Sequence, residues 1–262
     1  MSWPARHLLL GVPVSAVSCA EAERAVLAAA RAKRPSLVDH LSVHGLAEAQ
    51  RDPAFREALA SFDLVAPDGQ PVRWALNLLF GTKLRDRVYG PALMERLCAR
   101  AARERIGIYL YGGRPEVLAL LRERLLERHP ELRIVGAESP PFRALSTAED
   151  AATVERIERS GAGLVFIGLG CPKQELFAAA HAGHISAVQV CVGAAFDFLA
   201  GAKPMAPRWM QARGLEWLFR LASEPRRLWR RYLVANSVFL AQLARELTRR
   251  ALRTSITEGE PS

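Results

Sequence analysis

Three stretches carry residue types that could do chemistry. The first is Gly168-Leu-Gly-Cys-Pro-Lys-Gln-Glu175, which follows an apolar run at 164–167. A buried strand, a turn through Gly168 and Gly170, and a helix begun by Pro172 fit this order. Lys173, Gln174 and Glu175 then fall in the first helical turn, where free N–H groups and the positive dipole end suit a phosphate. A βα turn that binds nothing fits equally well. The second stretch is Pro67-Asp68-Gly69, after the apolar run 63–66. A carboxylate at a strand end is a general-base candidate, though Asp-Gly is also ordinary turn chemistry. The third is Asp197, set between Phe196 and Phe198. A carboxylate in so apolar a setting needs a partner: it either caps a helix or holds a ribose hydroxyl. His40 and His44 read as satisfied structural histidines rather than ligands.

Apolar runs alternate with helical patterns through most of the chain. Strands are expected at 8–14, 36–43, 63–66, 107–111, 132–135, 164–167 and 187–192. Helices are expected at 53–61, where Asp52 caps and Pro53 begins the first turn, and at 70–80, 90–103, 115–129 and 147–159. This rhythm predicts an α/β fold: a Rossmann-like, mostly parallel sheet with helices on both faces. Asp68-Gly69, Gly112-Gly113, Gly168-x-Gly170 and Gly193 end strands, so they should face one cleft beyond the carboxyl ends of the sheet. After Pro207 only helical signals remain. The expected division is an α/β domain at 1–206, a basic helical appendage at 207–253 and a flexible tail at 254–262. Arg220, Arg227 and Arg230 share a helical face if the helix continues across Pro225, which can break it. Residues 232–244 are apolar apart from Asn236, Ser237 and Gln242. Such a segment is too short to span a bilayer; it suits a helix on a membrane surface, on a partner, or in the core.

The 262 residues carry a net charge of +9, unevenly placed. Between Arg208 and Arg253 stand 11 Arg against Glu216, Glu224 and Glu246, a net +8. A basic end implies an anionic partner: nucleic acid, lipid head groups or a diphosphate. No basic groove with interleaved aromatics supports nucleic acid. No run of about 18 uncharged apolar residues marks a membrane span. Residues 1–7 lack a secretory pattern, and four scattered cysteines without C-x-x-C fit a reducing cytoplasm and neither a zinc site nor a disulfide framework. The third glycine of the dinucleotide fingerprint is missing, with Lys173 in its place, and P-loop, G-x-S-x-G and H-E-x-x-H patterns are absent. So is D-x-D, the usual carboxylate pair for a metal on a nucleotide-sugar diphosphate. A diphosphate would be neutralised by Arg, Lys and backbone N–H groups, with no metal and no cofactor.

Ordered motifs narrow this further. They are Pro67-Asp-Gly69, Arg87-x-x-Gly-Pro91, Tyr111-Gly-Gly113, Gly168-Leu-Gly-x-Pro-Lys-Gln-Glu175, Gly193-x-x-Phe-Asp197, Ala200-Gly201, Ala206-Pro207, Gly214-Leu-Glu-Trp-Leu-x-Arg-Leu221, Glu224-Pro-x-Arg227 and Arg230-Arg-Tyr232. Over about residues 8–240 the chain resembles the WecG/TagA/CpsF family of bacterial glycosyltransferases. The resemblance implies inverting, metal-independent transfer of a hexose or N-acetylhexosamine, such as ManNAc or Glc, from a UDP-sugar. The acceptor it implies is a sugar on undecaprenyl diphosphate, in cell-surface polysaccharide synthesis at the cytoplasmic face of the inner membrane. It implies Asp68 as base, Gln174 as an active-site glutamine, Arg87 near the leaving diphosphate and Asp197 at the nucleoside. Gly112, Gly113, Gly168, Gly170 and Lys173 would complete the donor site. Arg220, Arg227 and Arg230 would meet the lipid diphosphate and the anionic membrane. His40 and Ser42 replace the Thr and Asn frequent in the family, and with them the donor sugar is left open, as is homo-oligomerisation. A non-catalytic nucleotide- or lipid-binding protein on the same fold is the alternative.

Overall fold

The structure, a computed structural model, describes residues 2–257, excepting the side chains at 208, 212, 227, 231, 251 and 253–257. The chain opens with β1 (Arg6–Leu9), β2 (Val12–Ser15), α1 (Cys19–Arg31), β3 (Ser36–Leu41), α2 (Val43–Arg51), α3 (Pro53–Ala60), β4 (Leu64–Pro67) and α4 (Gln70–Phe80). It continues through α5 (Gly90–Glu104), β5 (Ile108–Gly112), α6 (Pro115–Arg128), β6 (Ile134–Glu138), α7 (Thr147–Arg159), β7 (Leu164–Gly168), α8 (Lys173–Ala180), β8 (Val188–Cys191) and α9 (Ala195–Leu199). Three helices close it: α10 (Arg208–Ala212), α11 (Glu216–Ser223) and α12 (Pro225–Thr257).

Local chemistry sets many of these boundaries. Asp52 accepts from the Ala54 and Phe55 N–H groups at the start of α3. Reciprocal Ser/Glu pairs, Ser18 with Glu21 and Ser146 with Glu149, cap α1 and α7. The six-stranded sheet is parallel throughout and ordered β4-β3-β8-β7-β5-β6. Alternation along each strand feeds two cores. Ile108 and Leu110 join one with α1, α5, α6 and α9, while Tyr109 and Tyr111 join the other with α2, α3, α4 and α8. The α/β architecture expected from the sequence is therefore present.

Four local expectations differ, and one left open is decided. The strand expected at 36–43 ends at Leu41, where Ser42 caps α2. The run 8–14 is not one strand but the β1–β2 hairpin, turned at Leu10 and Gly11, both with positive φ. Its Ser15 hydroxyl accepts the Val65 N–H at 3.2 Å, covering the open edge of β4. The strand expected at 132–135 lies at Ile134–Glu138, paired to β5 with a register shift between Ile108 and Tyr109. Pro172 is the cap of α8 rather than its first residue. Finally, Pro225 does break the helix: α11 ends at Ser223 and α12 begins at Pro225. Arg220 and Arg230 therefore lie on different helices, and the side chain of Arg227 lies outside the described residues.

The C-terminal helices lie against the α/β layers. Leu228, Ala235 and Phe239 of α12 are buried, and Phe239 belongs to the same core as α2. Near its far end, Arg250 donates to the Leu79 carbonyl and stacks over the Phe80 ring at 4.6 Å. A second stripe of α12, formed by Trp229, Leu233, Leu240 and Leu247, is exposed. These residues recur at four- and seven-residue steps and so share one face. Helix α12 extends to Thr257, so residues 254–257 of the expected tail are helical, and 258–262 lie outside the described residues.

Candidate active site

The carboxyl ends of β3, β8 and β7 open onto a cleft of about 740 Å³. Asp68, Gln174, Gly168, Gly170, Lys173, Asp197, Gly113, His40, Ser42 and Arg220 all line it. The strand order accounts for this meeting. Inserting β8 between β3 and β7 brings three chain-distant turns to one rim. Arg87, Gly112 and Arg230 are not among the lining residues.

Asp68 sits one residue past β4, where its N–H donates to the Leu41 carbonyl at 3.0 Å. Arg87 Nη1 is 3.6 Å from its Oδ1, too long for a hydrogen bond. That oxygen is buried and has no hydrogen-bond partner among the described residues. Desolvation pushes the Asp68 carboxyl up to about 6, against the pull of Arg87 and Arg220 and with help from Glu216. A carboxylate so poised can take a proton near neutral pH. Arg87 itself is gripped elsewhere: its Nη2 donates to Glu216 of α11, and its guanidinium lies 4.3 Å from the Tyr89 ring centroid. Burial and the charge of Glu216 raise the Tyr89 phenol, which stays neutral.

Across the cleft, Gln174 is clamped into its own loop. Its Oε1 accepts the Gly170 N–H at 3.2 Å, and its Nε2 donates to Glu175 at 3.0 Å. Beneath it, Glu175 and Asp39 are buried together. Burial and the neighbouring charge of Glu175 push the Asp39 carboxyl well up, and burial raises Glu175 as well, which favours a retained proton. His40 Nδ1–H donates to the Cys191 carbonyl at 3.0 Å, and burial pulls this imidazole down to about 4. It is therefore neutral, with Nε2 as an acceptor. Ser42 caps α2 by accepting the Gly45 N–H. Asp197 lies in the first turn of α9, 3.7 Å from Lys203, which also reaches Glu224 at 3.3 Å.

The glycines divide by role. A Cβ at Gly112 (φ 121°) would lie 2.6 Å from the Gly168 carbonyl carbon, and one at Gly168 would lie 2.7 Å from the Phe196 ring. Both let β5, β7 and α9 approach one another. Gly170 (φ 80°) faces open space. Arg220 lines the cleft with its guanidinium 5.5 Å from the Phe198 ring centroid, whereas Arg230 is exposed on α12 over Trp229.

Several lining or supporting residues escape sequence reading: Asp39, Tyr89, Phe142, Lys203 and Glu216. Two carried a usable signal. Asp39 interrupts the apolar run Leu37-Val38, and Glu216 interrupts Leu215-Glu-Trp-Leu. A charge inside an apolar run demands a partner. Phe142 carried none; it is 80% exposed at the cleft mouth, and only the fold brings its loop there.

The arrangement offers a basic carboxylate, a cationic wall and a glycine turn before a helix, in one cleft. The family model described as glycosyl transferase WecG/TagA/CpsF matches residues 7–253. Such a family implies a nucleotide-sugar donor and a lipid-linked acceptor in cell-surface polysaccharide synthesis. The match spans both the α/β layers and the C-terminal helices, and the chain belongs to the WecG/TagA/CpsF glycosyltransferase family.

Proposed function

We propose that this glycosyltransferase moves a hexose or N-acetylhexosamine, such as Glc or ManNAc, from a UDP-sugar to a sugar carried on undecaprenyl diphosphate, with inversion and without a metal. The observation that carries this reading is Asp68, a partly buried carboxylate raised to about 6 in a cleft with cations on its wall. Asp68 accepts the proton of the acceptor hydroxyl. The hydroxyl oxygen forms the new bond at the anomeric carbon from the face opposite the departing UDP, whose oxygen keeps the electron pair. Lys173, Arg220, Arg87 and the N–H groups at the start of α8 oppose the charge that develops on the diphosphate. Gly113, Gly168 and Gly170 shape the donor site beside Asp197, which accepts from the nucleoside. Gln174, His40 and Ser42 face the sugar, where the neutral His40 Nε2 accepts a hydroxyl hydrogen.

The acceptor lies in a membrane, so the enzyme works at the inner face of that membrane. No helix among the described residues is long and apolar enough to cross one. Attachment at the surface is supported by the exposed Trp217 and Leu218 of α11 and the stripe of Trp229, Leu233 and Leu240, with Arg226 and Arg230 next around α12. The test is a screen of UDP-sugars against a short-chain lipid-diphosphate monosaccharide, with the product anomer read by NMR. Turnover with inversion that survives excess EDTA is expected. UDP binding without turnover would leave a non-catalytic binding protein, and metal-rescued activity would remove the metal-free diphosphate site.

A further inference from the structure

Of the three acids between Arg208 and Arg253, Glu216 is the buried one. It begins α11, where Trp217 and Leu218 are exposed. A helix that buries its carboxylate and exposes its tryptophan needs a reason, and Arg87 supplies it. Arg87 divides its guanidinium unequally between two carboxylates. One nitrogen hydrogen-bonds Glu216, while the other stops 3.6 Å short of Asp68. A guanidinium freed from Glu216 would close on Asp68 as a forked pair, and a carboxylate held by two charge-assisted hydrogen bonds is a poor proton acceptor.

We infer that Glu216 is a positioning residue: an acid supplied by the C-terminal helices that holds Arg87 off Asp68 and leaves the Asp68 oxygen free to take the acceptor proton. The inference rests on the reading of Asp68 as the base. The α/β domain alone then lacks part of its site, because α11 completes it from 129 residues away. The same helix turns Trp217 and Leu218 outward, so the contact that tunes the base also fixes which face the helix shows to the membrane. The charged and titratable groups around Asp68 are Arg87 and Tyr89 before and at the start of α5, Glu216 and Arg220 on α11, and Asp39 on β3. Among them Arg87 and Arg220 oppose its protonation, and Glu216 favours it.

The experiment is the pH–rate profile of the full chain with a short-chain lipid-linked acceptor, for wild type, Glu216→Gln and Asp68→Asn, beside UDP affinity by calorimetry. Wild type should lose rate below about pH 6. Glu216→Gln, of the same shape but uncharged, should move this midpoint down by roughly one unit or more, lower kcat, and leave the UDP Kd within about twofold. A residue that only held the helix in place would scale the rate at every pH without moving the midpoint. Should Glu216→Gln not fold, Glu216→Asp keeps the charge but shortens the reach to Arg87, and the midpoint should move the same way. An unmoved or raised midpoint in the variant that folds overturns the inference. Loss of turnover in Asp68→Asn with an unmoved Glu216→Gln midpoint overturns this inference alone, whereas a wild-type rate in Asp68→Asn overturns the base itself.

Discussion

Asp68, the proposed base, lowers the stability of the fold at neutral pH because its carboxylate is desolvated. Its value of about 6 in the folded chain stands above the ordinary 3.8. The folded state therefore holds the proton more tightly than the unfolded one. The stabilisation tied to protonated Asp68 is complete below about pH 4 and is lost as pH rises through about 6. A shift of this size corresponds to roughly 3 kcal/mol at most. The Asp68 side chain is a quarter exposed, so solvent screening reduces this to ~1–2 kcal/mol. Asp68→Asn should thus melt higher than wild type at pH 7 but not at pH 4, since Arg87 keeps Glu216 as its partner. Turnover should fall by about 10²–10⁴ while UDP still binds. Calorimetry at the two pH values and a rate assay check both halves. A variant that melts lower at pH 7 would show that Asp68 is there for stability.

Helix α12 has one buried face and one exposed apolar face. Phe239, buried against α2, is core. Its truncation in Phe239→Ala should cost about 3–4 kcal/mol in urea unfolding, as for other large-to-small core changes. Leu233→Ala and Leu240→Ala, on the exposed stripe, should shift stability by less than about 0.5 kcal/mol and weaken binding to vesicles instead. Equal stability losses at all three positions would mean that the stripe is covered in solution by something other than lipid. At the sheet, Gly112→Ala would drive a methyl into the Gly168 backbone from a left-handed conformation. A loss of roughly 2 kcal/mol or more is expected, because a backbone cannot yield as a flexible side chain does.

At the scale of the whole chain, the sheet is complete at Cys191, while a net +8 lies between Arg208 and Arg253. The core charges are largely paired with one another, as in Arg31–Glu104 and Arg156–Glu138. The C-terminal helices therefore dominate the molecule's attraction to an anionic surface. Sedimentation with vesicles containing anionic lipid should be strong at low salt and weaken steeply toward about 0.5 M salt, where the screening length is only a few ångströms. Exchanging Arg226 and Arg230 for Glu should release the protein with its fold intact. Binding unaffected by either change would remove the electrostatic part of membrane docking. Ending the chain at Glu224 is a harsher change. It keeps the Glu216–Arg87 contact but uncovers α2 and the end of α4, so a lower melting temperature should accompany the loss of vesicle binding.

Periodicity and capping are local signals, and they carried far. The bounds of α4 and α7 match the expected ones, and Asp68 was placed at its strand end by Pro67-Asp-Gly69 alone. The gathering of glycine turns into one cleft followed from the alternation of strands and helices. Helix α1 was not among the expected helices, although its Ser18–Glu21 capping box is a local signal for it that a search for apolar runs passes over. Where local signals were weak the placement slipped. Strand β6 is half-buried along its whole length, so no alternation marks it, and the Tyr109 ring packed where a Gly136 Cβ would stand decides its register. The Leu10-Gly11 turn is another such place: the apolar run hides a hairpin that only the need to cover β4 explains. What no local signal could reach is whatever depends on strand order and on burial. His40 is neutral because β8 lies beside β3 and buries it, and Asp68 is basic because desolvation and the acid on α11 outweigh Arg87. A residue's type is written in the chain, but its charge state is set by neighbours that arrive from far along it.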